Sequence, residues 1–195
     1  MEPCHFAGVI ELQELAFPPP FDRDLHWKEE HLVAHTTKFP EGQIVALFGP
    51  KVVGSCSNSI LESQWFDLGL PWKEMVGGYS INTFNPSGKT LFGLDISVHP
   101  DCRRTGIGKA LYNHRKSLVC NLEFERYATT CRLPDFEMSG CSDVHTYGKE
   151  VCDQVRSDRT LTPLLRYGLT MISVLENHWD DPESGNAAAH LEWYP

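Results

Sequence analysis

Nothing in this 195-residue chain approaches the roughly 18 consecutive apolar residues that a membrane-spanning helix needs. Met1 to Ala7 hold no basic segment and no long apolar run, so no secretory leader is expected. Positive charge is in deficit: 17 Lys and Arg stand against 26 Asp and Glu, a formal net charge of −9. Such a chain does not attract nucleic acid or an anionic membrane as a whole, and neither is an expected partner. Internal repeats, low-complexity segments and C-x-x-C pairs are all missing. The seven cysteines are scattered and odd in number, which points to reduced thiols and a cytoplasmic setting. No metal is expected. His31-x-x-x-His35 has ligand spacing without a third ligand, and Cys131, Cys141, His145 and Cys152 lack the paired spacing of a zinc site. Gly88-Lys89-Thr90 has the form of a phosphate-loop ending, but Thr83 stands where the loop's first glycine belongs.

What the chain does have is enough length for one sizeable core, and residues 1–195 are read as a single domain. Its charge is uneven. Arg103, Arg104, Lys109, Arg115, Lys116, Arg126 and Arg132 face only Glu123 and Glu125, a local net of +5 that leaves −14 on the rest. That contrast favours an anionic ligand or partner near this window.

The hydrophobic pattern predicts a short strand near Gly8 to Leu15, then Pro18-Pro19-Pro20, then a helix from about Leu25 to Thr37 with Asp24 as N-cap. Gln43 to Phe48 and Lys51 to Cys56 flank Gly49-Pro50 and read as a hairpin. Residues 64–90 read as an irregular connection with one short helix. Phe92, Leu94, Ile96 and Val98 alternate with small or polar residues, as on a half-buried strand that His99-Pro100 stops. A helix to about Cys120 follows, with Ile107, Ala110, Leu111, His114 and Leu118 on one face. Arg126 to Leu133 reads as a strand, Thr146 to Val155 as a helix, and Leu169 to Leu175 and Ala187 to Trp193 as closing strands. The fold class is mixed α/β.

The strand–turn–helix from Leu91 to Cys120 carries the chemistry. Gly106 and Gly108 let a ligand approach the backbone where a helix begins. The first N–H groups of a helix have no internal partner, and its dipole adds partial positive charge there. With Arg103 and Arg104 beside it, Arg103-Arg104-Thr105-Gly106-Ile107-Gly108-Lys109 is a candidate diphosphate cradle.

Leu94-Asp-Ile-Ser-Val-His-Pro-Asp-Cys-Arg103-Arg-Thr-Gly-Ile-Gly108 resembles the R-x-x-G-x-G/A signature of the GNAT acyltransferase superfamily. The resemblance implies a mixed, mostly antiparallel central sheet flanked by helices, splayed between the strands at Leu91 and Tyr127. It implies acetyl-CoA or another acyl-CoA as cosubstrate, the turn on its pyrophosphate, and Ile96, Ser97 and Val98 on its pantetheine. Trp27-Lys-Glu-Glu-His-Leu32, Phe39-Pro-Glu-Gly-Gln43, Val52-Val-Gly-Ser-Cys-Ser-Asn58 and Cys131-Arg-Leu-Pro134 are similar to two narrower branches. One is fused to carbon–nitrogen hydrolases; the other loads starter units in polyketide biosynthesis and in some members decarboxylates malonyl-CoA. That chemistry is associated with a tryptophan, a threonine, a histidine and an arginine. Trp27 and Thr130 match the first two. A gap-free count puts Leu164 and Trp179 at the others, with Arg166 and His178 close enough to substitute.

Acyl transfer needs an oriented thioester, a deprotonated acceptor and a protonated leaving thiolate. Tyr147 and His145 are candidate acids, and Asp95 and His99 candidate bases. The expected activity is N-acetyltransferase-like acyl transfer from CoA to an amine, or to the thiol of an acyl carrier protein docked on the +5 window. Malonyl-CoA decarboxylation and a non-catalytic acyl-CoA-binding or interaction module are the alternatives. The termini, Met1-Glu-Pro and Trp193-Tyr-Pro195, fit a domain excised from a larger synthase.

Overall fold

A computed structural model describes residues 1–19, 21, 23–66 and 68–195. The chain opens with a helix, not a strand: α1 spans Phe6–Ala16. Phe6, Val9, Leu12 and Gln13 are its buried residues, spaced as one helical face. The apolar positions between Gly8 and Leu15 fit both periods, and packing chose the helix. The second helix is shorter than expected. Asp24 lies in a 3-10 turn, Arg23–Leu25, and α2 runs Glu29–Lys38. Its first turn is closed by His31, whose Nδ1 accepts the Lys28 N–H at 3.1 Å. His35 is also committed, with Nε2 2.7 Å from the Tyr79 carbonyl.

The hairpin forms as β1 (Ile44–Phe48) and β2 (Lys51–Leu61). β2 outruns its predicted end because Ser57, Asn58 and Ser59 are buried polar residues. Asn58 donates to the Gly42 carbonyl at 2.6 Å, and its own carbonyl accepts from the Gln43 amide at 2.8 Å. Hydrogen bonds of this kind let a polar stretch lie inside a sheet. The irregular connection carries α3 (Trp72–Met75). β3 (Thr90–Val98), α4 (Ile107–Asn121), β4 (Arg126–Cys131), α5 (Val144–Cys152), α6 (Leu161–Arg166), β5 (Thr170–Leu175) and β6 (Ala188–Trp193) complete the chain. Helix α6 was not anticipated; its Pro163 sits in the first turn, where the missing N–H costs no internal bond.

One six-stranded sheet results, in the order β1-β2-β3-β4-β6-β5. Only the β3–β4 pair is parallel among those described; its register runs Thr90↔Arg126 to Gly93↔Thr129 and stops. Beyond Gly93 the two strands part, so β3 has an open edge from Leu94 to Val98. Thr129 Oγ1 donates to the Gly93 carbonyl at 2.9 Å and pins the point of divergence. A bulge lies at the same place, because Ser57 pairs with Asp95 and Asn58 with Gly93. The extra residue, Leu94, shifts the alternation expected of this strand.

The two faces of the sheet carry separate cores. On one, Phe6, Val9, Leu12, Trp27, Leu32, Trp72, Phe92, Leu94 and Ala128 pack under α1, α2 and α3. On the other, Leu91, Tyr112, Val119, Tyr127, Tyr147, Leu161 and Leu164 pack under α4, α5 and α6. The buried face of α4 is Leu111, Tyr112, Arg115 and Val119. The expected face is therefore turned: Ala110 and His114 are exposed. An arginine at its centre hid that face from a hydropathy reading.

Among the described residues no helix is long and apolar enough to cross a membrane. All seven cysteines are unpaired.

Candidate active site

The turn after β3 is built by short-range bonds. His99 Nδ1 accepts the Asp101 N–H at 3.3 Å, and Thr105 Oγ1 donates to the Cys102 carbonyl at 2.6 Å. Arg103 braces the turn: its Nε donates to Val98 at 3.4 Å and its Nη2 to the Ala16 carbonyl of α1 at 3.2 Å. Arg104, at φ +63°, and Gly106, at φ +98°, both take left-handed conformations on either side of Thr105. Gly106 is the N-cap of the 15-residue α4, and no side chain caps that end. The free N–H groups of a helix start are thereby left to a ligand, which suits a diphosphate.

The two glycines serve different needs. A Cβ on Gly106 would meet nothing within 4 Å, so its requirement is conformational and the space above it is open. A Cβ on Gly108 would lie 3.3 Å from the Tyr167 hydroxyl. Arg104, Thr105 and Lys109 are exposed around the cradle, and Ile107 is half-buried. Ile96, Ser97 and Val98 lie on the stretch of β3 that β4 does not pair. An unpaired strand edge offers backbone donors and acceptors to an extended ligand.

On the α1–α3 face, the divergence point gathers Asp95 and Thr130. Asp95 is half-buried, and its neighbours there are Gln13, Trp27 and Ser97. Burial pushes its carboxyl up to about 6, against the pull of Arg115 and of hydrogen bonding such as that from Ser97 Oγ at 3.5 Å. Trp27 is buried at the entry to α2, held by its N–H donating to Gln13 Oε1 at 2.6 Å. Its indole packs 6.3 Å from Trp72, which stacks on Trp179 at 4.9 Å.

Thr130 meets His178. The imidazole Nε2 lies 3.1 Å from Thr130 Oγ1, and Nδ1 lies 3.0 Å from the Leu70 carbonyl. A carbonyl can only accept, so this geometry assigns the proton to Nδ1 and leaves Nε2 to accept from the threonine hydroxyl. Burial lowers the His178 pKa to about 4, which keeps the ring neutral near pH 7. Ion pairs hold the segment that presents it: Arg132 pairs with Asp181 at 2.6 Å and Glu183 at 2.7 Å.

Other candidate side chains lie elsewhere. Leu164 is in the core under α5 and α6, on the face away from Thr130. Trp179 is in the indole stack on the Thr130 face. Tyr147 is buried, and its hydroxyl donates to Asp158 at 2.9 Å, where desolvation raises its pKa and the proton is already committed. His145 is exposed and paired with Glu176 at 2.8 Å. His99 sits 3.1 Å from Lys51 Nζ. Arg166 lines a groove between α5 and α6 that contains none of the cradle residues.

The +5 window is not one surface. Arg115 is buried and donates to the Ser57 carbonyl at 3.2 Å and the Asp95 carbonyl at 2.5 Å. Lys116 donates to the Tyr167 carbonyl, Arg126 pairs with Glu192, and Arg132 is spent as described. Only Arg103, Arg104 and Lys109 remain outward, all at the cradle. Arg115 escaped the sequence reading, although its place four residues from both Leu111 and Val119 was a usable signal. Tyr167 had no local signal.

Fold and site define an α/β domain with an uncapped helix start after β3, beside a sheet that parts next to a hydrogen-bonded Thr–His pair. The family model for the GNAT acetyltransferase family matches residues 6–136, and the chain belongs to that family. It is 35% identical over 190 residues to the uncharacterized N-acetyltransferase YkwB of Bacillus subtilis (strain 168), covering 95% of this chain and 82% of YkwB. It is 31% identical over 195 residues to the probable hydrolase YhcX of the same organism, where it spans only 36% of the relative's length. Its fold is similar to the loading GNATL domain of CurA from Lyngbya majuscula, with TM-score 0.85, 14% identity and coverage of 100% of this chain and 94% of that one. It is likewise similar to the GphF GNAT-like decarboxylase, with TM-score 0.82, 19% identity and coverage of 100% and 96%.

Proposed function

We propose that this protein transfers an acetyl or other short acyl group from coenzyme A to an amine or to a carrier-protein thiol. The observation that carries the reading is the parting of β3 and β4 after Gly93 and Thr129, with the anion cradle on one face and Asp95, Thr130 and His178 on the other. An elongated thioester whose diphosphate sits on Gly106 to Lys109 would run along the open edge of Ile96, Ser97 and Val98. Its acyl end would emerge beside Trp27 and Thr130. The residues fit such a ligand, because the helix start is uncapped and the space over Gly106 is open. The GphF structure, similar in fold, was solved with isobutyryl-CoA.

The acyl-CoA supplies an activated carbonyl, and this chain supplies the rest. The new bond joins the acceptor nitrogen or sulfur to the carbonyl carbon, and the carbon–sulfur bond of the thioester breaks. Asp95, ionised above pH 6 or so, takes the acceptor's proton. The leaving thiolate takes the proton that Asp95 has collected, which returns Asp95 to its ionised form, while the Thr130 hydroxyl, its own proton donated to neutral His178, is held in place beside the acyl end. The indole stack keeps water from the carbonyl. Tyr147 and His145 have no part in this scheme.

Malonyl-CoA decarboxylation is a second reading, favoured by one observation. His178 stands against Thr130, which puts a histidine where the gap-free count put a leucine. The carbanion left when carbon dioxide departs would take a proton that solvent supplies, with the Thr130 hydroxyl fixed by His178 beside it.

Intact-mass analysis after incubation with acetyl-CoA or malonyl-CoA, with an amine panel and with a carrier protein, separates the readings. An acetylated amine or carrier supports transfer. Carbon dioxide release from malonyl-CoA alone establishes decarboxylation instead. CoA-dependent thermal stabilisation without either product reduces the protein to a binding module.

A further inference from the structure

Tyr167 is the one side chain from outside the β3–α4 segment that reaches the cradle glycines among the described contacts. It ends α6, and the chain turns at once through Gly168, at φ +83°. Two contacts fix it to α4, and a third distance sets where its hydroxyl lies. Its carbonyl accepts from Lys116 Nζ at 2.7 Å, its ring packs 5.1 Å from the Tyr112 ring, and its hydroxyl lies 3.3 Å from where a Gly108 Cβ would be. That last position also faces Val98, at the end of β3's open edge, with Val98 Cγ2 3.9 Å away. Among the described residues the hydroxyl makes no hydrogen bond to protein. An O–H held by its own ring and backbone beside an uncapped helix start is a donor waiting for an acceptor. At that end of a helix the acceptor is an anionic oxygen.

We propose that the Tyr167 hydroxyl donates to the diphosphate that Gly106 to Lys109 hold, as a positioning residue that fixes where the pantetheine arm enters the split. This rests on the coenzyme A reading above. It also gives Gly108 a second purpose: a side chain there would push the hydroxyl off the phosphate.

The test uses the full chain and Tyr167→Phe, which keeps the ring and its packing on Tyr112. Calorimetry with CoA is set against thermal-shift titration with pantetheine, which carries no phosphate. Wild-type protein is expected to bind CoA, and Tyr167→Phe to bind it about 10-fold more weakly, as for a lost hydrogen bond to a charged group. The response to pantetheine is expected to be unchanged, as is the melting temperature without ligand. Unaltered CoA affinity in Tyr167→Phe overturns the proposal and leaves the coenzyme A reading standing. Equal weakening for CoA and pantetheine overturns it too, since the hydroxyl would then act on the arm and not the diphosphate. Wild-type protein that binds no CoA overturns both.

Discussion

The two faces of the sheet at the parting of β3 and β4 were made in different ways. The cradle face is local: Val98 to Lys109 is one continuous stretch whose backbone angles and helix start make the site. The opposite face is assembled from afar: Gln13, Trp27, Trp72, Asp95, Thr130 and His178 come from six places in the chain. Binding would then reside in backbone geometry and reaction in side chains brought together by packing. If that division holds, the two can be broken separately.

The largest effect expected is on stability in acid, and it belongs to the assembled face. His35 and His178 are both buried with pKa near 4, against 6.5 unfolded. Below pH 6.5 the unfolded chain takes up protons that these rings refuse, so stability falls as pH falls toward 4, by about 3 kcal/mol per ring. Asp95 has the opposite sign. Its carboxyl is near 6 folded and 3.8 unfolded, so it returns about 3 kcal/mol as pH falls from 6 to 3.8. The net loss is on the order of 3 kcal/mol, read as urea midpoints between pH 7 and 4. His178→Gln should remove one ring's share of the slope.

Next is Gly106→Val. The valine must adopt φ +98°, a strain of about 1–3 kcal/mol, but it meets no protein atom. The variant should fold and lose CoA affinity about 100-fold, measured by calorimetry, with Asp95 and the Thr130–His178 pair undisturbed. Retained affinity would detach the ligand from the cradle.

Thr130→Val is the converse. Loss of the hydroxyl held by His178 beside the acyl end should lower kcat about 10-fold and leave the CoA dissociation constant unchanged. In the wild type the rate should fall below about pH 6 as Asp95 takes up a proton, and Asp95→Asn should abolish that limb. A drop in CoA affinity equal to the drop in rate would erase the distinction between the faces.

The smallest effect is expected from Gly108→Ala. Its methyl would crowd the Tyr167 hydroxyl at 3.3 Å and weaken CoA a few-fold, roughly 0.5–1 kcal/mol. In a Tyr167→Phe background the same substitution should cost less, and the difference between the two is the coupling of glycine and tyrosine.

The strand, turn and helix from Leu91 to Cys120 could be read from the chain because their signals are short-range: alternation, a proline stop, glycines and a helix start. The rest failed for identifiable reasons. The apolar residues of α1 satisfy two periods, and only packing selects the helix over the expected strand. β3 was read as a plain alternation, but the bulge at Leu94 brings Asp95 toward Gln13 and Trp27. A gap-free count lands on Leu164 with His178 only a nearby substitute, and it is His178, 48 residues from Thr130, that meets the threonine. The basic window looks like one docking face in the sequence, but three-dimensional pairing uses Arg115, Lys116, Arg126 and Arg132 internally.

By itself the sequence determined the α/β class, the hairpin, and the glycine turn and helix start between Arg103 and Lys109, because each depends on neighbours a few residues apart. Tertiary structure alone decided which side chains face one another across the split. It buried Arg115, seated His178 on Thr130 and brought Tyr167 over Gly108. Those contacts depend on how a bulge, a loop and two helices pack, and packing over such separations leaves no periodic mark in the chain.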